Sequence, residues 1–212
     1  MEKKKSVVVG NAVRNLVILA GPNGCGKSTL ASKLGIDYIS PDIYEKEQYP
    51  EITDKVQKER VSSLSAAKIM YDSILEGKSC SVETTFGSGR IPKLFLAAKE
   101  KKGYKLILYY IAADSCDICI NRVAKRVSEG GHNVPADLIK SRYEKSLTVL
   151  PKLLTVVDEA MVYDSSKCLY PFLRKENGKI RIISTVPNWA QYLIKSVEQK
   201  GDASCQNEKD ML

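Results

Sequence analysis

Nine consecutive residues, Gly21-Pro22-Asn23-Gly24-Cys25-Gly26-Lys27-Ser28-Thr29, fit the phosphate-loop pattern G-x-x-x-x-G-K-[ST]. The glycines let the backbone curl until successive N–H groups point at one anion, and a helix starting after the loop adds its positive N-terminal end. In that pattern Lys27 reaches the β- and γ-phosphates of a nucleoside triphosphate, and the Ser28 hydroxyl ligates Mg²⁺. A GTPase would add an N-K-x-D base-reading element, and an ABC ATPase an L-S-G-G-Q signature with an aliphatic run ending in Asp-Glu. Neither is present: Val127-Ser128-Glu129-Gly130-Gly131 is a faint echo of the signature, and the run Leu106–Ile111 leads into Ala112-Ala113. A small phosphotransferase fits better.

Three further groups have types suited to that chemistry. Asp42, in Ser40-Pro41-Asp42, is placed to accept a hydroxyl proton and orient the attacking oxygen, or else to cap a short helix beginning near Ile43. Glu83, in Glu83-Thr84-Thr85, could hold a Mg²⁺-bound water or a substrate hydroxyl, or be a buried structural carboxylate paired with a lysine. Thr84 and Thr85 could donate to substrate, and Arg90 could grip an anionic substrate or simply be solvated. Arg122 and Arg126 stand at i and i+4 on one helix face, and Arg142 follows across the loop Gly130-Gly131-His132-Asn133-Val134-Pro135. That is the layout of a lid whose guanidinium groups close over phosphates, with ordinary surface pairing as the competing account. Cys116 and Cys119 have the spacing of a metal pair, but no second pair exists and His132 is the one histidine in the chain.

The elements that must position these groups follow from periodicity and punctuation. Short β-branched runs at Leu16–Ala20, Tyr38–Ser40, Cys80–Glu83, Lys105–Ala112 and Ala160–Tyr163 predict five strands. Helical spacing of Val61, Leu64, Met70, Tyr71, Ile74 and Leu75 predicts an amphipathic helix from Asp54 to about Leu75, closed by Gly77. Further helices are predicted from Pro92 to Lys101, from an Asp114-Ser115 cap to about Glu129, and from Pro135 onward. Asn177-Gly178, between Tyr170–Leu173 and Lys179–Ile183, signals a hairpin with a type I′ turn. Strands alternating with helices imply an α/β fold, a mainly parallel five-stranded sheet with helices on both faces in three layers, plus a C-terminal hairpin. The C-terminal ends of such strands line a ligand crevice, which gathers Gly21, Asp42 and Glu83.

Composition bounds the rest. The chain has 212 residues, 43% hydrophobic and 27% charged, enough for one domain with a real core. The longest apolar run, Leu106 to Ala113, stops at about eight residues against the roughly 20 of a membrane span. The start, Met1-Glu2-Lys3-Lys4-Lys5 with only Val7-Val8-Val9 behind it, does not read as a signal peptide. Six scattered cysteines read as reduced thiols, so a cytoplasmic location is expected. Lys+Arg of 33 against Asp+Glu of 25 gives +8. That charge would attract any polyanion; lysine dominates it, and nucleic acid is not expected as the main partner. Residues 1–15 read as an N-terminal extension, 16–200 as the catalytic domain and 201–212 as a disordered tail.

In order, Gly21 to Thr29, Pro41-Asp42, Glu83-Thr84-Thr85, Arg122 to Val127, Gly130 to Pro135, Ser141-Arg142-Tyr143 with Ser146-Leu147, and Tyr163-Asp164-Ser165-Ser166 resemble the zeta-toxin-like P-loop kinases. Within them they look like the branch often labelled predicted ABC-type ATPases. The resemblance covers about Leu16 to Ser166. It implies an adenylate-kinase-like fold, ATP and Mg²⁺ as cofactors, Gly21 to Thr29 with Arg122 around the nucleotide, and Asp42 as base. It implies Arg126 and Arg142 on the transferring phosphate and an antitoxin protein as a partner. The acceptor it suggests is a small molecule such as the amino sugar of UDP-N-acetylglucosamine. A plain ATPase, or a nucleotide-gated switch or nucleic-acid-binding module, is the alternative.

Overall fold

In a computed structural model of the chain, residues 13–41 and 51–194 are described. Asp42, residues 1–12 of the expected extension and the expected tail lie outside them. Six strands form one sheet in the order β2-β1-β3-β4-β5-β6. β1 (Asn15–Ala20), β2 (Cys80–Thr84), β3 (Lys105–Ala112) and β4 (Glu159–Asp164) are parallel; β5 (Tyr170–Glu176) and β6 (Lys179–Ile182) add an antiparallel hairpin at one edge. Asn177 and Gly178, both at positive φ (51° and 73°), make the turn the sequence predicted.

One expected strand is reduced. Tyr38–Ser40 contributes a single parallel bridge, Ile39 to Val82, with Ile39 N donating to Ser81 O at 2.8 Å and Glu83 N to Ile39 O at 3.0 Å. Three residues before a proline are too few for a full ladder, and Pro41 has no N–H to extend it. The bridge still holds Ser40 beside Glu83.

Helices cover both faces. α1 (Lys27–Leu34) and α4 (Cys116–Ser128) pack with Leu19, Ile111 and Tyr163 in one cluster. α2 (Lys55–Leu75) and α3 (Lys93–Lys102) pack with Leu16, Ile18, Leu106, Leu108 and Val162 in the other. α5 (Ala136–Val156) contributes to both. Successive strand residues point to opposite faces, which is why Ile18 and Leu19 belong to different clusters. Asp54 caps α2 by accepting from Gln57 N at 2.7 Å, and Ser115 caps α4 by accepting from Ile118 N. On α2 the predicted apolar face is partly wrong: Ile74 is buried as expected, but Leu64, Tyr71 and Leu75 are exposed, while Ser62 and Ala66 are buried.

The N-terminal ends of the parallel strands are closed by charge pairing. Lys99 Nζ donates to Val156 O at 2.6 Å and to Asp158 Oδ1 at 2.8 Å, while Asp158 Oδ2 accepts from Leu106 N at 2.8 Å. Lys175, 9% exposed, donates to Leu154 O and Val157 O at 2.7 and 2.6 Å. These lysines satisfy carbonyls at the C-terminal end of α5, where a helix lacks intrahelical donors. Burial, then the charge of Lys99, lowers the Lys175 pKa. Burial alone would raise Asp158, but the bonds from Lys99 and Leu106 outweigh it and hold the carboxyl below its ordinary value.

Candidate functional site

The phosphate loop leaves β1 directly over its strand end and enters α1. Gly21 N donates to Thr84 O at 3.2 Å. Its φ of 142° suits only glycine, and a Cβ there would stand 2.0 Å from Ile111 O. A Cβ on Gly24 would meet Cys119 O at 2.4 Å. The loop is thus pressed against β3 and α4 more closely than any other residue would permit. Cys119, which backs it, is buried, and burial pushes its thiol up to about 12, so it packs rather than reacts at neutral pH.

Lys27 is 4% exposed, and its ammonium donates to Gly21 O and Pro22 O at 2.9 Å each, with Glu83 Oε1 at 3.3 Å. The sequence offered two accounts of Glu83; the structure pairs it with a lysine, and that lysine is the loop's own. These carbonyl and carboxylate groups help to hold the cation in the wall of a cavity of about 550 Å³, with Ser28 and Thr29 from the start of α1 also lining it. Asn23, Gly24, Gly26, Tyr38, Ser40, Arg122, Arg126 and His132 complete much of its wall. A cradle of backbone N–H groups, a helix N-terminus and a buried ammonium suits a triphosphate. Ser28 and Glu83 supply two oxygens, which suits Mg²⁺, an ion that keeps several waters. Among the described residues there is no cluster of three or more His, Cys, Asp or Glu that could hold a metal.

Two more cavities adjoin it. One, of about 200 Å³, lies between Cys25, Gly26 and Thr29 on one side and Ser165, Lys167, Cys168 and Leu169 on the other, with Arg122 common to it and the first. The other, of about 270 Å³, is lined by Ser40, Pro41, Ser63, Thr84, Thr85, Asn133, Leu138 and Arg142 among others, and shares Asn23, Ser40, Glu83 and His132 with the first. Phe86 shapes it. It is buried at φ 50°, a conformation costing about 1–3 kcal/mol in a non-glycine residue. Its ring is fixed edge-on against Phe95, with centroids 6.4 Å apart, and its N–H donates to Thr84 Oγ1 at 3.1 Å.

The three lid arginines converge but have different partners. Arg122 donates to Ser165 O at 2.6 Å, Ser165 Oγ at 3.2 Å and Ser166 O at 3.3 Å. Arg126 Nη2 donates to His132 O at 2.7 Å, and its buried Nε has no hydrogen-bond partner among the described residues. Arg142 Nη1 donates to Asn23 Oδ1 at 3.0 Å, passing so near Gly87 that a Cβ there would lie 3.0 Å from Arg142 Cγ. Arg90 is exposed and lines none of these cavities, so the structure does not bring it to the site. Asp42 lies outside the described residues, immediately after Pro41. Sequence reasoning missed Tyr38, Ser63 and Leu138, which carry no local signal, and it named Asn23 and His132 without giving them their place between two cavities.

The Zeta toxin family profile matches residues 1–175. An uncharacterized protein of Haemophilus influenzae is 27% identical over 147 residues, 68% of this chain and 100% of that relative. A chain of the AvrRxo1-ORF1:-ORF2 structure with ATP superposes with a TM-score of 0.66 at 15% identity, covering 89% of this chain and 72% of that one. A chain of the Pnkp1/Rnl/Hen1 RNA repair complex superposes with a TM-score of 0.53 at 15% identity, covering 68% of this chain and 48% of that one. At such identities the structural likeness speaks to the fold. Among the described residues, no helix is long and apolar enough to cross a membrane.

Proposed function

Because the chain belongs to the zeta toxin family, we propose that it is a kinase that moves the γ-phosphate of ATP to a hydroxyl of a small acceptor. The observation that carries this reading is the run of three joined cavities with Lys27 and Glu83 at the centre. The loop amides and Lys27 hold the phosphates in the first cavity, and the smaller one beside Arg122 and Leu169 takes the nucleoside end. The hydroxyl-lined cavity takes the acceptor. Ser28 and Glu83 would hold Mg²⁺, which neutralises charge on the phosphates when bound. The ammonium of Lys27 turns from Gly21 O and Pro22 O to the phosphates, exchanging neutral oxygens for charged ones. Arg126 and Arg142 stabilise charge on the transferring group, and Thr84 and Thr85 orient the acceptor. Asp42, next in the chain after Pro41 at the acceptor cavity, is the proposed base. The ATP in the AvrRxo1 structure supports the choice of nucleotide, and the family suggests an antitoxin partner.

The test is incubation with MgATP and a panel of nucleotide sugars, free sugars and nucleosides, read by mass spectrometry. UDP-N-acetylglucosamine comes first in the panel, and a cytoplasmic enzyme would meet all of these compounds. One acceptor gaining a phosphate is the expected result. ADP and free phosphate with no acceptor modified would make it a plain ATPase.

A further inference from the structure

The donor and acceptor cavities meet at Asn23, Ser40, Glu83 and His132. Asn23 receives Arg142, Glu83 pairs with Lys27, and Ser40 is buried at the end of the bridge beside β2. His132 alone among the four carries an imidazole, and its backbone is held in place from two directions. Arg126 Nη2 donates to its carbonyl oxygen at 2.7 Å, and Gly131 N donates to Arg126 O at 2.8 Å. A Cβ on Gly131 would stand 2.5 Å from Arg126 Cγ and 2.9 Å from Arg126 O. On the other side, Val134 is buried in the cluster formed with α4 and α5. The backbone at His132 is thus fixed where the two cavities meet.

A phosphoryl group passing from one cavity to the other crosses the opening these residues share. Lys27 from the loop and Arg122 and Arg126 from α4 line the cavity on one side of it, Arg142 from α5 lines the cavity on the other, and Glu83 of β2 lines both. Resting on the kinase reading, we propose that His132 is a catalytic residue whose imidazole donates a hydrogen bond to the γ-phosphoryl group as it crosses between the cavities. The ring forms no covalent bond. The bond from phosphorus to the leaving β-phosphate oxygen breaks with its electron pair staying on ADP, a bond to the acceptor oxygen forms, and the hydroxyl proton passes to a base. An N–H aimed at charge that develops in the transition state contributes on the order of 10²-fold in rate.

Because the chain has one histidine, its imidazole Cε1–H gives a single proton NMR signal that reports on His132 without any substitution. The full chain is saturated in turn with AMP, ADP and the β,γ-imido analogue of ATP, with Mg²⁺, saturation being judged by calorimetry. The signal is expected to move further between the ADP and analogue complexes than between the AMP and ADP complexes. Nucleotides that bind while the signal ignores the third phosphate overturn the proposal and leave the kinase reading standing. No binding, or binding unchanged in Lys27→Ala, overturns the kinase reading and the proposal with it. As a second arm, His132→Ala is expected to lower ADP production about 10²-fold with the analogue's Kd within about threefold, and His132→Gln, which keeps an N–H, to recover part of it. Wild-type turnover in His132→Ala would overturn the proposal.

Discussion

The two ends of the central sheet treat their cations in opposite ways. At the N-terminal strand ends, Lys99 is matched to Asp158, Lys105 to Glu159, and Lys175 to two helix carbonyls. At the C-terminal ends, Arg122, Arg126 and Arg142 lean on carbonyl and amide oxygens, and Lys27 has two carbonyls and a carboxylate 3.3 Å away. At the first end Lys99 and Lys105 are paired with carboxylates, while Lys175 rests on neutral helix-end oxygens. At the second, Arg122, Arg126 and Arg142 are held by neutral oxygens, so an arriving polyanion finds their guanidinium groups oriented. Within one sheet, lysine–carboxylate pairs close one end, and arginines held by neutral oxygens gather at the other.

Substitutions that cross the two ends should separate activity from stability. The largest effect on activity is expected from Lys27→Ala, which removes the central cation: phosphate transfer, followed as ADP production, should fall on the order of 10³-fold. Gly131→Ala comes next. Its Cβ would push on Arg126 and shift the lid loop, so kcat should drop roughly tenfold to a hundredfold while the melting curve stays near wild type. At the other end, Lys175→Met leaves the oxygens of Leu154 and Val157 without donors and should cost about 2 kcal/mol in urea unfolding, with unchanged nucleotide affinity. A fall in activity as large as that for Lys27→Ala would erase the distinction between the ends.

The smallest expected effect concerns acid. The Asp158 carboxyl is held below its ordinary value, so its contribution is present above the usual carboxylate range and is lost as pH falls through that lowered value. Asp158→Asn should therefore lower the urea midpoint at neutral pH, and the gap to wild type should close toward about pH 2. Its side chain is about a third exposed, which keeps the difference under roughly 1 kcal/mol.

How much of this could be read in advance depended on distance along the chain. The phosphate loop was legible because its residues are consecutive and flanked by a strand and a helix. The hairpin turn was legible because Asn177-Gly178 carries its own backbone preference. The lid arginines were placed on the right helices, but only the fold shows Arg142 meeting Asn23 across 119 positions. The lysine clamp gave no sign at all: Lys175 and the helix end it serves are 18 and 21 residues apart, and in sequence it looked like solvated surface. The buried face of α2 failed for another reason, since Ser62 and Ala66 are buried for their size rather than their hydrophobicity.

The account stands or falls on whether the C-terminal end of the sheet binds a triphosphate through Lys27. Calorimetric titration of the full chain with the Mg²⁺ complex of the β,γ-imido ATP analogue, repeated on Lys27→Ala, measures this directly. One site per chain in the wild type and no detectable heat of binding in the variant is the predicted result. Absence of binding in the wild type, or equal affinity in both proteins, would contradict it.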